Sequence, residues 1–326
     1  MKITVLGAGA WGTALARILA IRNHEVVIWD FFPEAVEGIN RAHVNERYLP
    51  GIQLPPNLRG EADAAKAVAG AELVIVAAVS KAYRNVSKPL RDFTGIVVSV
   101  TKGIEFETGE TMTDILRENS PKSRIVAMSG PTLATEVAKG IPTAIVAASE
   151  DAAAAQTVQS LFHGPAFRVY TSSDIHGVEL GGALKNVIAI GAGVCDGLGF
   201  GDNSKAALLT RAISEMRRLG VACGAQADTF TGLSGLGDLM VTCFSKLSRN
   251  RGFGERLGKG EKAEAIVASM TAVAEGYPNA RSARELARKH GVTTPIIDEV
   301  YAMLYEGKDV RKAVQDLTGR ESKAED

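Results

Sequence analysis

The sequence predicts an α/β protein: a doubly wound, mostly parallel sheet over residues 1–174, followed by an all-α domain over 175–326. Three observations carry this reading. Short β-rich runs alternate with helical stretches through the first half, the pattern of strands joined by crossover helices. Several of those runs are continuously apolar, as strands covered on both faces are. After about Ser173 the strand-like runs cease and helical patterns continue. At 326 residues the chain is long enough for two domains of ordinary size.

Taken in order, the expected strands are Lys2–Leu6, Glu25–Trp29, Leu73–Val79, Ile96–Val100, Arg124–Met128, Thr143–Ala147 and Phe167–Tyr170. Between them the spacing predicts helices over Thr13–Ala20, Ala82–Asp92, Thr111–Glu118 and Asp151–Leu161. In the second half the predicted helices cover roughly 176–193, 203–219, 250–258, 262–270, 278–290 and 294–306, and the charged tail ESKAED reads as frayed.

Lys plus Arg equals Asp plus Glu at 37 each, so no overall charge points to nucleic acid or an acidic membrane surface. The three cysteines, Cys195, Cys223 and Cys243, include no CxxC pair, which supports neither a disulfide framework nor a cysteine zinc site. Any redox chemistry is therefore expected from an organic cofactor. The N-terminal MKITVLGAGAWG is cut by Gly7, Gly9 and Gly12 and followed by Arg17, unlike a signal peptide. The longest apolar runs are strand-length, so a cytoplasmic protein without stable membrane insertion is expected.

The stretch KITVL-GAGAWG-TALARILA places Gly7, Gly9 and Gly12 at GxGxxG spacing after a strand and before a helix. The first glycine permits the tight turn, the second lets a pyrophosphate approach the backbone, and the third lets helix and strand pack closely. The helix start then offers free N–H groups to the phosphates. Residues 1–174 thus read as a Rossmann-like dinucleotide-binding domain. The next strand ends at Asp30, eighteen positions beyond Gly12. An acidic residue there holds the ribose 2′-OH and repels a 2′-phosphate, which favours NAD(H) over NADP(H); a plain strand-end or turn residue before Pro33 is the other reading. Residues 31–33 are Phe-Phe-Pro, and the next arginine in sequence is Arg41.

Three polar clusters stand in otherwise quiet sequence. Lys102 follows the strand 96–100 directly, where the carboxyl ends of strands line a ligand crevice; a solvated loop lysine would look the same. In SGPTLATE, Thr132 or Thr135 could cap a short helix whose N–H groups cradle an anion, and the same residues also suit a purely structural turn. In GLSGLGDLMVTCFSKLSRNRGFG, Asp238 sits behind a run of glycines and Ser248 is a candidate N-cap. Arg249 carries the planar fork that suits a phosphate, although Lys246, Arg249 and Arg251 could also form a solvated face.

The stretch GGALKNVIAIGAG contains one charge, Lys185. Lysine is seldom buried unless paired, and the bland expectation is a stem lying along the helix with its ammonium in water. Gly181 and Gly182 lie four and three positions before it, on its own face. Helix-interior glycines cost about 1 kcal/mol each relative to alanine, so something is expected to approach that backbone closely: a ligand or another helix.

GAGAWGTA, TKGIE, SGPT-x-A-x-E, FRVY, GGALKNVIAIGAG, GLSGLGDL, T-C-x-S-x-x-S-R-N and AEGY occur in this order. The chain, from about residue 1 to about residue 318, resembles the bacterial type of NAD(P)-dependent glycerol-3-phosphate dehydrogenase. The resemblance implies interconversion of dihydroxyacetone phosphate and sn-glycerol 3-phosphate, mainly by reduction, in supply of phospholipids. It implies Lys185 as the catalytic lysine and Lys102, Gly130, Thr132, Lys185, Asp238, Ser248, Arg249 and Asn250 as substrate positions. Beside the three loop glycines and Asp30, it places Ala10, Trp11, Phe31, Tyr48, Lys102, Ala134, Arg249, Val273 and Glu275 at the dinucleotide. Where the family usually has serine, this chain has Ala10, and where a basic residue or histidine is common it has Phe31. Both departures, with Asp30, point to NAD as the preferred cofactor over NADP.

On this reading hydride adds to the C2 carbonyl while Lys185 protonates the oxygen. Its ordinary pKa near 10.4 is high for such a role, and apolar surroundings and cations such as Lys102 are expected to favour the neutral form. The expected partner is a small molecule, with no nucleic acid, and a homodimer is the expected assembly. The rival reading is a related two-domain dehydrogenase acting on another hydroxy or keto acid.

Overall fold

A computed structural model of the chain describes residues 1–270, 273–321 and 324. The chain divides into two compact units, one of Met1–Glu105 with Glu110–Glu179, the other of Phe106–Gly109 with Leu180–Asp326. Of the tail ESKAED only Glu321 and Ala324 are among the described residues.

The first unit is built on an eight-stranded sheet. Its strands are β1 (Lys2–Leu6), β2 (Glu25–Trp29), β5 (Leu58–Glu61), β6 (Leu73–Val76), β7 (Ile96–Ser99), β8 (Arg124–Ser129), β9 (Thr143–Ala148) and β10 (Phe167–Ser172). A two-stranded antiparallel ribbon, β3 (Val44–Asn45) with β4 (Leu49–Gln53), stands apart. The sheet order is β10-β9-β8-β7-β6-β1-β2-β5, and every pairing is parallel except β8 with β9. The mostly parallel, doubly wound sheet is therefore as the apolar runs predict. β6 and β7 are buried at every position, because one hydrophobic cluster covers each face. Ile3, Val5, Ile75 and Val98 pack with Leu15 and Leu19 on one side. Leu6, Val74, Val76 and Val97 pack with Ile115 and Leu116 on the other.

The structure corrects several boundaries. The third predicted strand stops at Val76, and the chain turns through a 3-10 segment at Ser80–Ala82. The helix expected over Ala82–Asp92 is only Tyr83–Ser87, followed by a 3-10 turn at Lys88–Leu90; Pro89 cannot supply the N–H that a continued helix needs. β5, the ribbon and the helix Pro33–Ala42 are absent from the sequence reading. β5 reads LRGE and pairs with β2 alone, and an edge strand carries no demand for apolar residues on both faces.

Among its described residues the second unit holds helices and no strand: Ile175–Gly197 (whose first residues fall in the first unit), Asp202–Ala222, Asp238–Phe244, Arg249–Gly258, Ala263–Ser269, Gly276–Lys289, Pro295–Tyr305 and Val310–Thr318. The first of these is long and apolar enough to cross a membrane, yet 94% of its apolar window is buried within the protein. It is a core helix. Small residues set its packing: a Cβ on Gly193 would lie 2.0 Å from the Arg251 carbonyl oxygen, and one on Gly254 would lie 1.9 Å from that of Ile190. The two helix backbones are in direct contact, so any side chain there would force them apart.

Two buried glutamates make this stability pH-dependent. Glu179 accepts hydrogen bonds from the Thr113 N–H (2.9 Å) and hydroxyl, and Glu215 accepts from the N–H groups of Ile296 (3.0 Å) and Ile297 (2.9 Å) at a helix start. Burial, only partly offset by these bonds, pushes both carboxyls up to about 7. In the folded state they hold their protons to about pH 7, whereas the unfolded chain releases them near 4.5. Unfolding between those values releases protons, so stability falls as pH rises through that window, by at most about 3 kcal/mol per group. Glu179→Gln is expected to flatten this decline in urea-unfolding titrations from pH 4.5 to 8. Parallel wild-type and variant profiles would disprove the assignment.

Candidate active site

The first unit's site is the glycine loop and what surrounds it. Gly7 sits at φ +118°, a conformation side chains rarely adopt, and a Cβ there would also strike the Ala77 carbonyl oxygen at 2.7 Å. A Cβ on Gly12 would lie 2.0 Å from the Gly7 carbonyl oxygen. These two glycines are required by the chain's own packing. Gly9 differs: a Cβ there would meet nothing within 4 Å. Gly9 occupies the N-cap of the helix Ala10–Ile21 and supplies no side-chain cap, so the first N–H groups of that helix look for acceptors elsewhere. The loop is held from behind. Asn45, 2% exposed, donates to the Ala8 carbonyl (2.7 Å) and to the Thr13 hydroxyl (2.8 Å). The Asp30 carboxylate accepts from the N–H groups of Ala8 (2.7 Å) and Phe32 (3.0 Å). Asp30 thus ties the end of β2 to the glycine loop, and each of its oxygens has a further lone pair for a ligand hydroxyl.

Ala10, Trp11 and Ala134 are half-buried against the core beneath the loop, whereas Phe31 is 77% exposed. Tyr48 is half-buried; burial raises its hydroxyl pKa, and the negative charge of Asp30 raises it further. At the ends of β7 and β8, Lys102 donates to the Gly130 carbonyl (3.1 Å), to which the Thr132 hydroxyl also donates (3.2 Å). The structure therefore brings Lys102, Gly130 and Thr132 together. The expected capping by Thr132 or Thr135 is not what forms: Leu133 occupies the N-cap of the helix Ala134–Ala138, which has no side-chain cap.

The second unit's site centres on Lys185, which is 5% exposed. Its ammonium donates to the Thr242 hydroxyl (2.6 Å) and pairs with Asp238 Oδ1 at 3.1 Å. The Thr242 hydroxyl in turn donates to Asp238 Oδ1 (3.3 Å). Asp238 is 1% exposed and lies on the helix Asp238–Phe244, four residues before Thr242, so one helix face presents both groups to the lysine. The bland expectation of a lysine reaching into water is overturned, and so is a purely apolar setting.

Beside it, Asn250 donates to Asn186 Oδ1 (2.8 Å) and accepts from the Gly276 N–H (2.9 Å). Ser248 caps the helix Arg249–Gly258 by accepting from the Arg251 N–H (3.2 Å), as its position predicts. Arg249 keeps exposed surface, yet the protein around its guanidinium strips away enough water to lower its pKa, an effect that the negative charge of Glu275 partly offsets; Val273, close by in sequence, is 44% exposed. The clearance at Gly181 is not for a ligand. A Cβ there would lie 2.8 Å from the Ser234 carbonyl oxygen, because the π-turn Leu233–Gly237 that leads into Asp238 packs against it. Gly181 thus lets the strand of chain carrying Asp238 come down onto the lysine's helix.

Residues 2–155 match the model of the NAD-dependent glycerol-3-phosphate dehydrogenase N-terminus, and residues 174–315 match that of its C-terminus. A glycerol-3-phosphate dehydrogenase (NAD(P)+) of Trichlorobacter lovleyi is 50% identical over 100% of this chain and 99% of its own length. The chain belongs to the NAD-dependent glycerol-3-phosphate dehydrogenase family. A relative of the same name from Anaeromyxobacter dehalogenans is 49% identical over the whole of both chains. The crystal structure of glycerol-3-phosphate dehydrogenase from Coxiella burnetii superposes with a TM-score of 0.94 at 37% identity, covering 98% of this chain and 99% of that one.

Within this dehydrogenase fold, sequence reasoning missed Thr242, Asn186 and Asn45. Thr242 was within reach, since it stands one helical turn after Asp238. Asn186 adjoins Lys185 but points to a partner 64 residues away, for which no local signal exists. Asn45 lies on the unforeseen ribbon.

Proposed function

We propose that this chain interconverts dihydroxyacetone phosphate and sn-glycerol 3-phosphate with a nicotinamide dinucleotide, and that Lys185 is its acid–base group. The buried Lys185–Thr242–Asp238 array is the observation that carries the reading. The dinucleotide fits the first unit: the open space at Gly9 and the uncapped helix start suit a pyrophosphate, and Asp30, Phe31 and Tyr48 suit the adenosine end. When bound there, the dinucleotide would supply the hydride donor or acceptor for C2 of the substrate. In the reductive direction the Lys185 ammonium, held by Asp238, donates a proton to the oxygen on which negative charge grows; in the oxidative direction the neutral amine accepts that proton back from the hydroxyl. Thr242 fixes the direction of one ammonium N–H. Arg249 and the helix start capped by Ser248 suit the substrate phosphate, with Asn250 pinned beside them. Binding energy at that remote phosphate serves to orient the carbon that reacts. Lys102, Gly130 and Thr132 complete the set of substrate positions. The reading extends to a cytoplasmic homodimer that feeds glycerophospholipid synthesis; the three free cysteines fit a reducing compartment.

The test is an assay of purified protein with dihydroxyacetone phosphate and each reduced cofactor. Turnover is expected with both, with kcat/KM higher for NADH, and with unphosphorylated dihydroxyacetone almost inert. A higher value with NADPH would refute the reading of Asp30 and Phe31, and equal use of dihydroxyacetone would refute the phosphate site.

A further inference from the structure

The sequence shows no arginine beside Asp30, but the fold supplies one. The turn of the β3–β4 ribbon places the Arg47 guanidinium 4.0 Å from the centre of the Phe32 ring and 5.3 Å from that of Tyr48. Phe32 is two residues past Asp30, whose carboxylate accepts its N–H. Segments at the end of the second strand of such sheets flank the adenosine ribose, where an arginine accommodates a 2′-phosphate. Arg47 Nη1 donates to Glu34 Oε1 at 2.6 Å, and both side chains are well exposed, at 41% and 61%. A pair this exposed is weak and readily exchanged. The Phe32 ring meanwhile holds the guanidinium plane, leaving its edge to bind an anion bidentately. By contrast Arg41, the next arginine after Asp30 in sequence, is turned to Glu37 on its own helix.

Building on the reading that the first unit holds the dinucleotide, we propose that Arg47 is the residue through which this chain accepts a 2′-phosphorylated cofactor, with Glu34 as the competing anion that holds NADPH binding below NADH binding. A 2′-phosphate brings more charge and more acceptor oxygens than Glu34, so it displaces the carboxylate from Arg47. With NADH nothing competes and the Arg47–Glu34 pair stays closed. Asp30 and Arg47 then act on the same ribose position in opposite senses.

Dissociation constants for NADH and NADPH, read from nicotinamide fluorescence without substrate, test this. Arg47→Ala is expected to weaken NADPH about 10-fold or more, the scale of a lost charge-assisted contact, and NADH about 2-fold at most. Arg47→Lys should recover only part, since lysine lacks the fork, and Glu34→Gln should tighten NADPH alone. The proposal is overturned if Arg47→Ala leaves NADPH affinity unchanged, if it weakens both cofactors equally, or if wild-type protein binds no NADPH. Phe31→Ala separates the underlying reading: loss of both cofactors supports the adenosine placement, and no change in either refutes that placement.

Discussion

Lys185→Met is expected to lower kcat by about 10²- to 10⁴-fold, the range for removing a positioned general acid. Methionine keeps the apolar stem that packs in the helix Ile175–Gly197 and removes only the ammonium. The affinity for reduced dinucleotide, measured without substrate, should stay within about 2-fold, because the glycine-loop and Asp30 groups that suit it are left unchanged by the substitution. The pair of readouts separates loss of chemistry from loss of fold. A folded Lys185→Met protein with near-native kcat would remove the lysine from the mechanism.

The largest expected effect on stability is at Asp238. With Asp238 1% exposed and Lys185 5% exposed, the two charges depend on each other. Asp238→Asn takes the carboxylate away from the buried ammonium, which costs about 3–5 kcal/mol where one partner of a buried pair is removed. Replacing both, as Lys185→Met with Asp238→Asn, takes away both charges and leaves the amide bonded to Thr242; it should recover most of that loss, since buried pairs exchange for neutral groups at little net cost. Urea unfolding of the two single variants and the double variant measures the coupling. Activity should stay lost in the double variant, so the stability of the site and its chemistry come apart. Effects that add to within about 0.5 kcal/mol would show the two side chains to be independent, contrary to the geometry.

Much of this protein is legible along the chain, and the limits of legibility are physical. β6 and β7 are readable because a strand covered on both faces has nothing but apolar residues to offer. The glycine loop is readable because its turn chemistry is local: Gly7 takes a positive φ and Gly12 packs on the Gly7 carbonyl five residues back, whereas the Ala77 backbone that also crowds Gly7 lies seventy positions away. Ser248 announces its cap because the N–H it serves is three residues on. β5 is not readable, since an edge strand with one neighbour can be charged. The glycines of GGALKNVIAIGAG are visible as an anomaly, but their meaning is not: Gly181 admits the Ser234 backbone and Gly193 admits that of Arg251.

The same division applies to the site. By itself the sequence determined the fold class, the glycine-loop turn and, through its ordered motifs, the family, and it singled out Lys185 as the candidate acid–base group. Those depend on periodicity, turn chemistry and short spacings, which are properties of neighbouring residues. Only the tertiary structure decided what Lys185 faces, because Asp238 and Thr242 come from a helix more than fifty positions away. Only it brought Arg47 to the ring beside Asp30, across a ribbon whose strands are too short to leave a pattern. A hydrophobic period reports that a face is buried; what it is buried against depends on how the chain folds back on itself.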